Sequence, residues 1–384
     1  MQRIDIEARP DWRMTAEAHG FDFHSPNDTV YWEERACYAF SLTQIEDDLE
    51  AAVEAIEGFC FDVVDRVVSE PLLMRRLRIP EAFHGMIARS WKDGERNLYG
   101  RMDFAYDGSG PPRLLEYNAD TPTALYEASV FQWVWLEQQL ERGALPAGAD
   151  QFNSLHERLV DALGGLGIDG MLYLASVADH AEDGGTVEYL ADCARQAGLA
   201  TERLNIEDIG LAADGRFVDL WDQPISWLFK LYPWEWLMAE SFGAHIPGSG
   251  CRFIEPPWKA ILSNKGLLPL LWEMFPDHPN LLPAWFADDP AAANLAASVR
   301  KPLLGREGAN VEISAPGVEA SKGGEYGAEG FIVQQYHPLP DFAGNRPVCG
   351  CWVVASEPAG LGVREDDGPI TGDGARFVPH FIRP

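Results

Sequence analysis

The chain has 384 residues, 46% of them hydrophobic and 23% charged, which is the balance of an ordinary globular protein with two or three domains. Sixty Asp and Glu residues outnumber 30 Lys and Arg residues, so the formal net charge of -30 makes nucleic acid and anionic membrane lipid poor partners. The excess of acid either attracts a polycationic substrate or only keeps the surface soluble, and the composition leaves both open.

The N-terminus and the cysteines bear on the cellular setting. The first residues, MQRIDIEARPDWRM, carry scattered charge, and no segment reaches the roughly 20 apolar residues that span a bilayer. We therefore expect a cytoplasmic protein. Of the six cysteines only Cys349 and Cys351 are close together, and a lone C-x-C favours buried reduced thiols over a zinc site.

The first hundred residues are predicted to be mainly helical. The segment from Ser41 to Val68 has apolar residues at helical spacing, and Ser41 with Gln44 forms a capping-box pattern at its start. A second helix is predicted from Glu81 to Trp91.

A β-hairpin is predicted from residue 100 to residue 118. The strands GRMDFAY and PRLLEYN flank the turn-forming sequence DGSGPP, and symmetric pairing places Asp103 opposite Glu116 and Arg101 opposite Asn118. Because side chains alternate along a strand, these four project from one face of the hairpin. The other face would carry the residues that pack on the core, namely Met102, Phe104, Leu115 and Tyr117.

The facing carboxylates of Asp103 and Glu116 suggest a cation site. Two carboxylates directly opposite each other repel, and a cation between them would remove the repulsion. With the amide oxygen of Asn118 they make the hard oxygen ligands that Mg²⁺ uses, phosphate and water completing its shell. A solvated hairpin face with incidental charge explains the spacing equally well, so both interpretations stay open.

The middle of the chain is predicted to contain a parallel sheet. Helices are predicted from Ala124 to Gln139 and from Gln151 to Leu163. The strand GMLYLASV, the helix from Thr186 to Gln196 and the strand ATERLNI then make a βαβ unit, and QPISWLFKLYP is predicted as the next strand.

Beyond residue 250 the pattern changes to antiparallel strands and turns. The apolar helix KGLLPLLWEMF precedes the predicted strands VRKPLLG, NVEIS, GFIVQQY, CGCWVVAS and GLGVRED. Pro and Gly cluster at 143–150 and 244–257, which predicts three domains with the bounds 1–145, 146–250 and 251–384.

A lysine and a glycine-containing loop form a candidate phosphate site. Lys301 lies on a strand before a loop with Gly305 and Gly308, so its ammonium could face phosphates that the loop N–H groups cover. The loop lacks the G-K-[ST] ending of a Walker A motif. A surface lysine before an ordinary turn is the alternative.

Two further basic residues are candidate phosphate contacts. Lys265 opens the apolar helix, where a phosphate would offset its opposition to the helix dipole, although a solvated lysine fits as well. Arg364 ends a strand, and pairing with Asp366 or Asp367 is the alternative role for it.

Successive segments of the chain occur in a distinctive order from about residue 30 to residue 365. They are TVYWEERACYAFS, GRMDFAY, LLEYNADTPTALYEA, SNKGLLPLLW, RKPLLGREGANVEI, FIVQQYHPLP and GLGVRED. In this order they resemble the synthetase domain of the glutathionylspermidine synthase family, and R-x-D followed by E-x-N-A-D-T-P-T is the most specific part. The resemblance implies a fold of mixed α+β and α/β character, a permuted ATP-grasp core with an inserted βαβ (pre-ATP-grasp-like) domain.

The resemblance also implies what each domain holds. Residues 1–145 would carry the N-terminal helices and a metal-binding hairpin, and residues 146–250 the βαβ unit on the substrate side. Residues 251–384 would carry the ATP-binding part of the core and its lid. In this permuted order the metal ligands precede the lysines along the chain.

The resemblance assigns roles to individual residues. The implied catalytic arginines are Arg101, which would stabilise the transferring phosphoryl group and the acyl phosphate, and Arg364, which would lie near the γ-phosphate and the substrate carboxylate. The implied Mg²⁺ ligands are Asp103, Glu116 and Asn118. The implied ATP contacts are Lys265, Lys301, Gly305 and Gly308 at the phosphates and Gln334 and Gln335 beside the adenine, with the loop from Gly305 to Asn310 as the lid.

Substrate contacts are implied less closely. Thr121 and Thr123 stand where the family has serines, so hydroxyls for a substrate carboxylate or amide remain in a reshaped pocket. Glu182 and Asp183 resemble an acidic pair at the amine site, although a helix-start cap is the alternative. The first hundred residues show no amidase features, so the resemblance supports synthesis and not hydrolysis.

The implied activity is an ATP-dependent ligase that joins a small-molecule or short-peptide carboxylate to an amine, a polyamine among the candidates. The carboxylate would attack the γ-phosphorus to give an acyl phosphate, which the amine then attacks. A non-catalytic nucleotide-binding protein and a phosphotransferase that stops at phosphorylation are the alternatives.

Overall fold

The computed structural model describes residues 1–26 and 29–384, which form a mixture of helices and strands. The α-helices are α1 Trp12–Ala18, α2 Ala51–Ser69, α3 Pro71–Arg76, α4 Glu81–Lys92, α5 Gln132–Glu141, α6 Leu155–Gly165, α7 Ala181–Gln196, α8 Trp234–Ala239, α9 Lys259–Leu262 and α10 Leu267–Met274. Short π-helical segments, Gln44–Glu50 and Glu127–Phe131, run directly into α2 and α5. Turns of 3-10 helix cover Ile206–Asp208, Gly243–Gly248 and Pro290–Asn294.

The strands have two to ten residues and are spread along the whole chain. In chain order they are β1 Gln2–Asp5, β2 Ala36–Phe40, β3 Tyr99–Ala105, β4 Arg113–Asn118, β5 Met171–Ser176, β6 Ala200–Asn205, β7 Gly210–Leu211, β8 Phe217–Val218, β9 Trp227–Leu231, β10 Arg252–Ile254, β11 Ala284–Phe286, β12 Ser298–Pro302, β13 Glu312–Ala315, β14 Val318–Ser321, β15 Phe331–Gln335, β16 Arg346–Val354, β17 Glu357–Asp366, β18 Arg376–Val378 and β19 His380–Ile382.

Two antiparallel sheets of five strands frame the molecule. The first antiparallel sheet has the order β18-β17-β16-β3-β4, and the second antiparallel sheet has the order β11-β15-β12-β13-β14. A parallel sheet has the order β10-β9-β5-β6, and smaller sheets join β1-β2-β19 and β7-β8. No α-helix in the described part of the chain combines the length and the apolar character needed to traverse a bilayer.

The predicted βαβ unit is present, with β5 and β6 parallel and α7 between them. Its helix begins at Ala181, about one turn before the predicted start at Thr186. The imidazole of His180 caps it by accepting the N–H of Asp183 at 3.3 Å. Gly184 and Gly185 lower helix propensity and hid this first turn from the sequence pattern. β10 joins the same sheet beyond residue 250, and the predicted domain bounds stay a prediction.

The N-terminal helices follow the pattern closely. Ser41 and Gln44 make the reciprocal capping-box bonds at 3.0 and 3.2 Å, and the helix they start runs through the π-helical segment to Ser69. The buried face of α2 packs in one apolar cluster with Met102 and Phe104 of β3. The hairpin therefore contributes its apolar face to the same core as α2, and its other face lies toward the second antiparallel sheet.

The hairpin register is as predicted at the polar residues and wrong beyond them. Arg101 pairs with Asn118 and Asp103 with Glu116, but a bulge then sets Phe104 opposite Leu114 instead of Leu115. The N–H of Leu114 is bound by the carbonyl of Asn280 at 2.8 Å, outside the hairpin. The expectation that Leu115 packs on the core is corrected, because this residue lines the polar side.

The remaining predicted helices shift by a few residues at their ends. The helix predicted from Glu81 to Trp91 is α4, and the one predicted from Gln151 to Leu163 is α6. The helix predicted from Ala124 to Gln139 begins as the π-helical segment and continues as α5. Short helices such as α1, α3 and α8 were not predicted, since six or seven residues give little periodicity.

Candidate active site

An open cleft of about 1180 Å³ lies between the two antiparallel sheets. Strands β3, β4 and β17 line one side, and β12, β13 and β15 with the loop after β12 line the other. Thirteen of the fifteen predicted site residues lie on its wall: Arg101, Asp103, Glu116, Asn118, Thr121, Thr123, Lys265, Lys301, Gly305, Gly308, Gln334, Gln335 and Arg364.

Asp103 holds two arginines at the base of the cleft. Its Oδ1 accepts Nε of Arg101 at 2.7 Å, and its Oδ2 accepts Nη2 of Arg364 at 2.7 Å. The alternative pairing of Arg364 with Asp366 or Asp367 is wrong, because β17 places Arg364 two strands from β3 on the same face. Both guanidiniums therefore converge on one buried carboxylate.

A glycine explains how Arg101 and Asp103 fit over the neighbouring strand β16. Gly350 lies opposite Asp103, and a Cβ there would come within 2.7 Å of Cδ of Arg101. Cys349 and Cys351 on either side point into the apolar cluster, where burial raises the pKa of the Cys349 thiol to about 12. The expectation that Cys349 and Cys351 are buried reduced thiols is confirmed. The glycine between them leaves room for the side chain of Arg101.

The second carboxylate of the hairpin is paired with a lysine. Nζ of Lys265 lies 3.0 Å from Oε2 of Glu116 and 2.6 Å from the carbonyl of Gly305. Burial opposes ionisation of Glu116, but the Lys265 ammonium outweighs it and holds the pKa of this carboxyl below its usual range. Glu116 is therefore ionised, and Lys265, two residues before α10, is not a merely solvated lysine.

Asn118 links the two carboxylates. Its Nδ2 donates to Oδ2 of Asp103 at 3.0 Å and lies 3.4 Å from Oε1 of Glu116. A rotation of this amide would bring Oδ1 to the same place, which completes a set of three hard oxygen donors. No group of three His, Cys, Asp or Glu side chains in residues 1–26 and 29–384 could hold a metal. Two carboxylates and an amide fit Mg²⁺, which takes its other ligands from phosphate and water.

Lys301 and Gln334 form a buried pair on the opposite wall. Nζ of Lys301 donates to Oε1 of Gln334 and to the carbonyl of Leu115, both at 2.8 Å. Gln334 in turn donates to the carbonyl of Leu114 at 3.1 Å, so the bulge of β4 anchors both residues. Burial lowers the pKa of Lys301 to about 8. Gln335, by contrast, is exposed at the end of β15.

The loop from Leu303 to Val311, which we call the cover loop, lines the cleft. At Gly305 a Cβ would lie 2.3 Å from Cγ of Pro302, and Gly308 has φ of 72° and lies against Ile370. Only glycine fits both positions without displacing neighbouring atoms. The cover loop thereby lies close enough to the cleft for its N–H groups to face a ligand.

Sequence reasoning missed Arg306, which lies in the cover loop. Its Nη1 donates to Oγ1 of Thr121 at 2.7 Å, and its Nη2 donates to Oε1 of Glu235 at 2.7 Å. The signal was available, since an arginine directly follows Gly305 in the predicted lid. The carbonyl of Thr123 accepts a hydrogen bond from Arg101, so the segment after β4 contacts Arg101 as well as Arg306.

A buried ion pair positions the segment that carries the two threonines. Asp120 accepts Nζ of Lys230 at 2.6 Å and the N–H of Trp234 at 2.8 Å, and both side chains of the ion pair are fully buried. Lys230 belongs to β9 of the parallel sheet. This pair therefore ties the threonine segment to the parallel sheet.

Glu182 and Asp183 are not on the cleft wall. They lie in the first turn of α7, where the Asp183 carboxylate is 3.4 Å from the imidazole of His180, as the helix-start alternative expects. Burial raises the pKa of each, and Glu182 interacts electrostatically with Arg364 while Asp183 interacts with Arg306. Their role toward an amine stays a prediction.

The chain is similar in sequence to known proteins over most or all of its length. A family profile described as glutathionylspermidine synthase preATP-grasp matches residues 3–383. A Haemophilus influenzae protein whose predicted activity is that of an acid–amine ligase is 42% identical over the full length of both chains. A trypanothione synthetase of Crithidia fasciculata is 27% identical, over 85% of this chain and 54% of its own length.

The fold is similar to that of a solved protein. A glutathione synthetase-like effector of Globodera pallida aligns over 98% of each chain with a TM-score of 0.59. At 10% sequence identity this likeness bears on the fold alone. The mixed α/β architecture is therefore of the glutathione synthetase-like kind.

Proposed function

The chain belongs to the glutathionylspermidine synthase family, and on that premise we propose that it is an ATP-dependent acid–amine ligase with a permuted ATP-grasp core. The observation that carries this proposal is the convergence of two arginines, two lysines and two facing carboxylates on one cleft. Acyl activation by ATP needs positive charge around the transferred phosphoryl group, and these side chains supply it.

The charge of the cleft supports a polyanionic ligand. Its wall carries five basic side chains (Arg101, Lys265, Lys301, Arg306 and Arg364) against three acidic ones (Asp103, Glu116 and Glu307). The whole chain has a formal charge of -30, so this local excess of positive charge runs against the composition. Lys265 and Lys301 on one wall and the N–H groups of the cover loop would hold the phosphates, with Gln334 and Gln335 toward the adenine.

Asp103, Glu116 and Asn118 would hold Mg²⁺, which when bound neutralises charge on the phosphates. Arg101 and Arg364, held at fixed positions by Asp103, would bind the oxygens of the phosphoryl group as the substrate carboxylate attacks it. Arg306 and the cover loop would exclude water from the acyl phosphate, which water would otherwise hydrolyse.

The substrates belong to the same proposal. The hydroxyls of Thr121 and Thr123 suit a carboxylate or amide of a small or short-peptide donor, and Glu182 with Asp183 suits a cationic amine. Glutathione and spermidine are the first pair to test, because both occur in the name of the family.

The experiment is a screen of di- and tripeptides, including glutathione, against polyamines and amino acids, scored by ADP and phosphate release and by the mass of the product. A ligase releases ADP only when acid and amine are both present, and the product mass equals their sum less water. ADP release with the acid alone and a stable phosphorylated product would instead identify a phosphotransferase. Stabilisation by Mg-ATP without turnover on any pair would identify a nucleotide-binding protein.

A further inference from the structure

A buried carboxyl group that interacts electrostatically with Arg101 has no role in the site described above. Glu127 opens the π-helical segment Glu127–Phe131 and is 0% exposed. Its Oε1 accepts a hydrogen bond from the hydroxyl of Tyr31, which is only partly buried. Its Oε2 has no hydrogen-bond partner among residues 1–26 and 29–384. An ionised carboxylate with an unpaired oxygen is costly to bury, so this placement calls for an explanation.

The chain segments on either side of Glu127 contact the strands that carry Arg101 and Arg364. Four residues earlier, the carbonyl of Thr123 accepts Nη1 of Arg101. The next residue, Ala128, packs against β17 at Gly362, where a Cβ would be 3.5 Å away, and Gly362 is two residues from Arg364. Glu127 therefore lies beside the strands that hold both guanidiniums.

On its other side the Tyr31–Glu127 pair approaches the first turns of α7. The Tyr31 ring lies 6.1 Å from the ring of Phe23, and Phe23 comes within 3.2 Å of the Cβ position of Gly185. Gly185 is one turn after Glu182. The pair is thus placed between the arginines that would bind the acyl phosphate and the acidic residues suited to a cationic amine.

The charged groups around the Tyr31–Glu127 pair come from three elements: Glu182 on α7, Arg101 on β3 and Arg364 on β17. Burial raises the pKa of Glu127 to about 8, Glu182 acts in the same direction, and the Tyr31 hydrogen bond and Arg101 oppose it. Burial also raises the pKa of Tyr31 well above 10. A carboxyl group with a pKa near 8 is suited to accept a proton from an alkylammonium ion near neutral pH.

We propose that Tyr31 and Glu127 form a proton relay that takes a proton from the ammonium group of the attacking amine, a role that rests on the proposed ligase function. The Tyr31 oxygen accepts the ammonium proton while its own hydroxyl proton passes to Oε1 of Glu127, which leaves a neutral amine and a neutral carboxyl group. Tyr31, the partly buried member of the pair, would contact the substrate, and the fully buried carboxyl of Glu127 would store the proton.

The remaining step, attack of the neutral amine on the acyl phosphate, needs no other reagent. The lone pair of the neutral amine forms the C–N bond at the acyl carbon, and the C–O bond to phosphate breaks. Phosphate leaves with that electron pair and takes the second amine proton. Glu127 returns its proton to solvent through Tyr31.

The test compares two nucleophiles on the full-length protein with ATP and glutathione. Spermidine is a cation at neutral pH and must lose a proton, whereas hydroxylamine is largely neutral and can attack directly. Glu127→Gln and Tyr31→Phe should lower kcat with spermidine by about 10²-fold and leave the rate with hydroxylamine nearly unchanged. In wild type, kcat/KM for spermidine should rise with pH toward a plateau above about 8, and this inflection should vanish in Glu127→Gln.

Tyr126→Phe is the matched control, because this neighbouring tyrosine donates its hydroxyl to the carbonyl of His19. It should leave both rates unchanged. Variants that slow both nucleophiles equally would make the pair structural, and variants that slow neither would remove it from the reaction. A wild type that turns over no pair of the screen would overturn the ligase function itself, and the relay with it.

Discussion

The two walls of the cleft hold their charges in different ways. On the hairpin, Arg101 and Asp103 belong to β3, whose seven residues are all buried, and cross-strand bonds determine where each side chain points. In the cover loop, Arg306 is positioned by two side-chain contacts, with Thr121 and Glu235. We therefore expect the hairpin to be a preorganised electrostatic site and the cover loop to move when nucleotide binds.

The largest effect is expected at the centre of the hairpin. Arg101→Lys keeps the charge but loses the planar fork that contacts Asp103 through two nitrogens. We expect kcat to fall by about 10²–10³ with little change in the ATP Kd, the size seen for loss of one preorganised donor. Arg376→Lys, at an arginine outside the cleft that contacts Asp367, is the control. Steady-state kinetics equal to wild type would remove Arg101 from the reaction.

Asp103→Asn tests the ion pairs that Asp103 forms with Arg101 and Arg364. Repulsion between facing carboxylates alone predicts a gain in stability, but Asp103 is bound by two guanidiniums and by Asn118. Removing the charge leaves the buried guanidinium of Arg101 and the partly exposed one of Arg364 without their counter-ion, so we expect a loss of about 3 kcal/mol in the free energy of unfolding. Urea unfolding measures this free energy. A variant more stable than wild type would mean that repulsion between Asp103 and Glu116 outweighs the ion pairs with the arginines.

Mg-ATP should distinguish the two walls directly. A ligand that binds only the native state adds about 2.7 kcal/mol at 100 times its Kd. Hydrogen exchange should show the segment from Gly305 to Glu319 slowing with nucleotide, while the amides of β3 stay slow in both states. An unchanged Tm in millimolar Mg-ATP would count against nucleotide binding, and equal protection of both segments without ATP would contradict a mobile cover.

The smallest effect is expected at the partner of the cover loop. Glu235→Gln weakens one partly exposed contact of Arg306, so stability should fall by less than about 1 kcal/mol. The ATP KM should rise by no more than about fivefold, since 1 kcal/mol corresponds to that factor. Kinetics and urea unfolding measure both quantities. A loss as large as that of Asp103→Asn would mean that the cover loop is as rigid as the hairpin.

Local patterns alone were sufficient for the parts of the molecule built from neighbouring residues. The capping box of Ser41 and Gln44, the βαβ unit and the pairing of Asp103 with Glu116 were all predicted correctly. Each depends on periodicity or on a turn within about 20 residues, which the sequence displays directly. The implied roles of the cleft residues came from the family resemblance, and those roles stay predictions.

Only the tertiary structure decided which charges meet. Arg364 contacts Asp103 across 261 residues, and the Asn280 carbonyl that binds Leu114 places the bulge that turns Leu115 toward Lys301. Such contacts depend on how whole sheets pack, and local spacing carries no information about a partner so far along the chain. The sequence therefore determined the strands and the kinds of charge they carry, while the packing of the two antiparallel sheets made those charges one site.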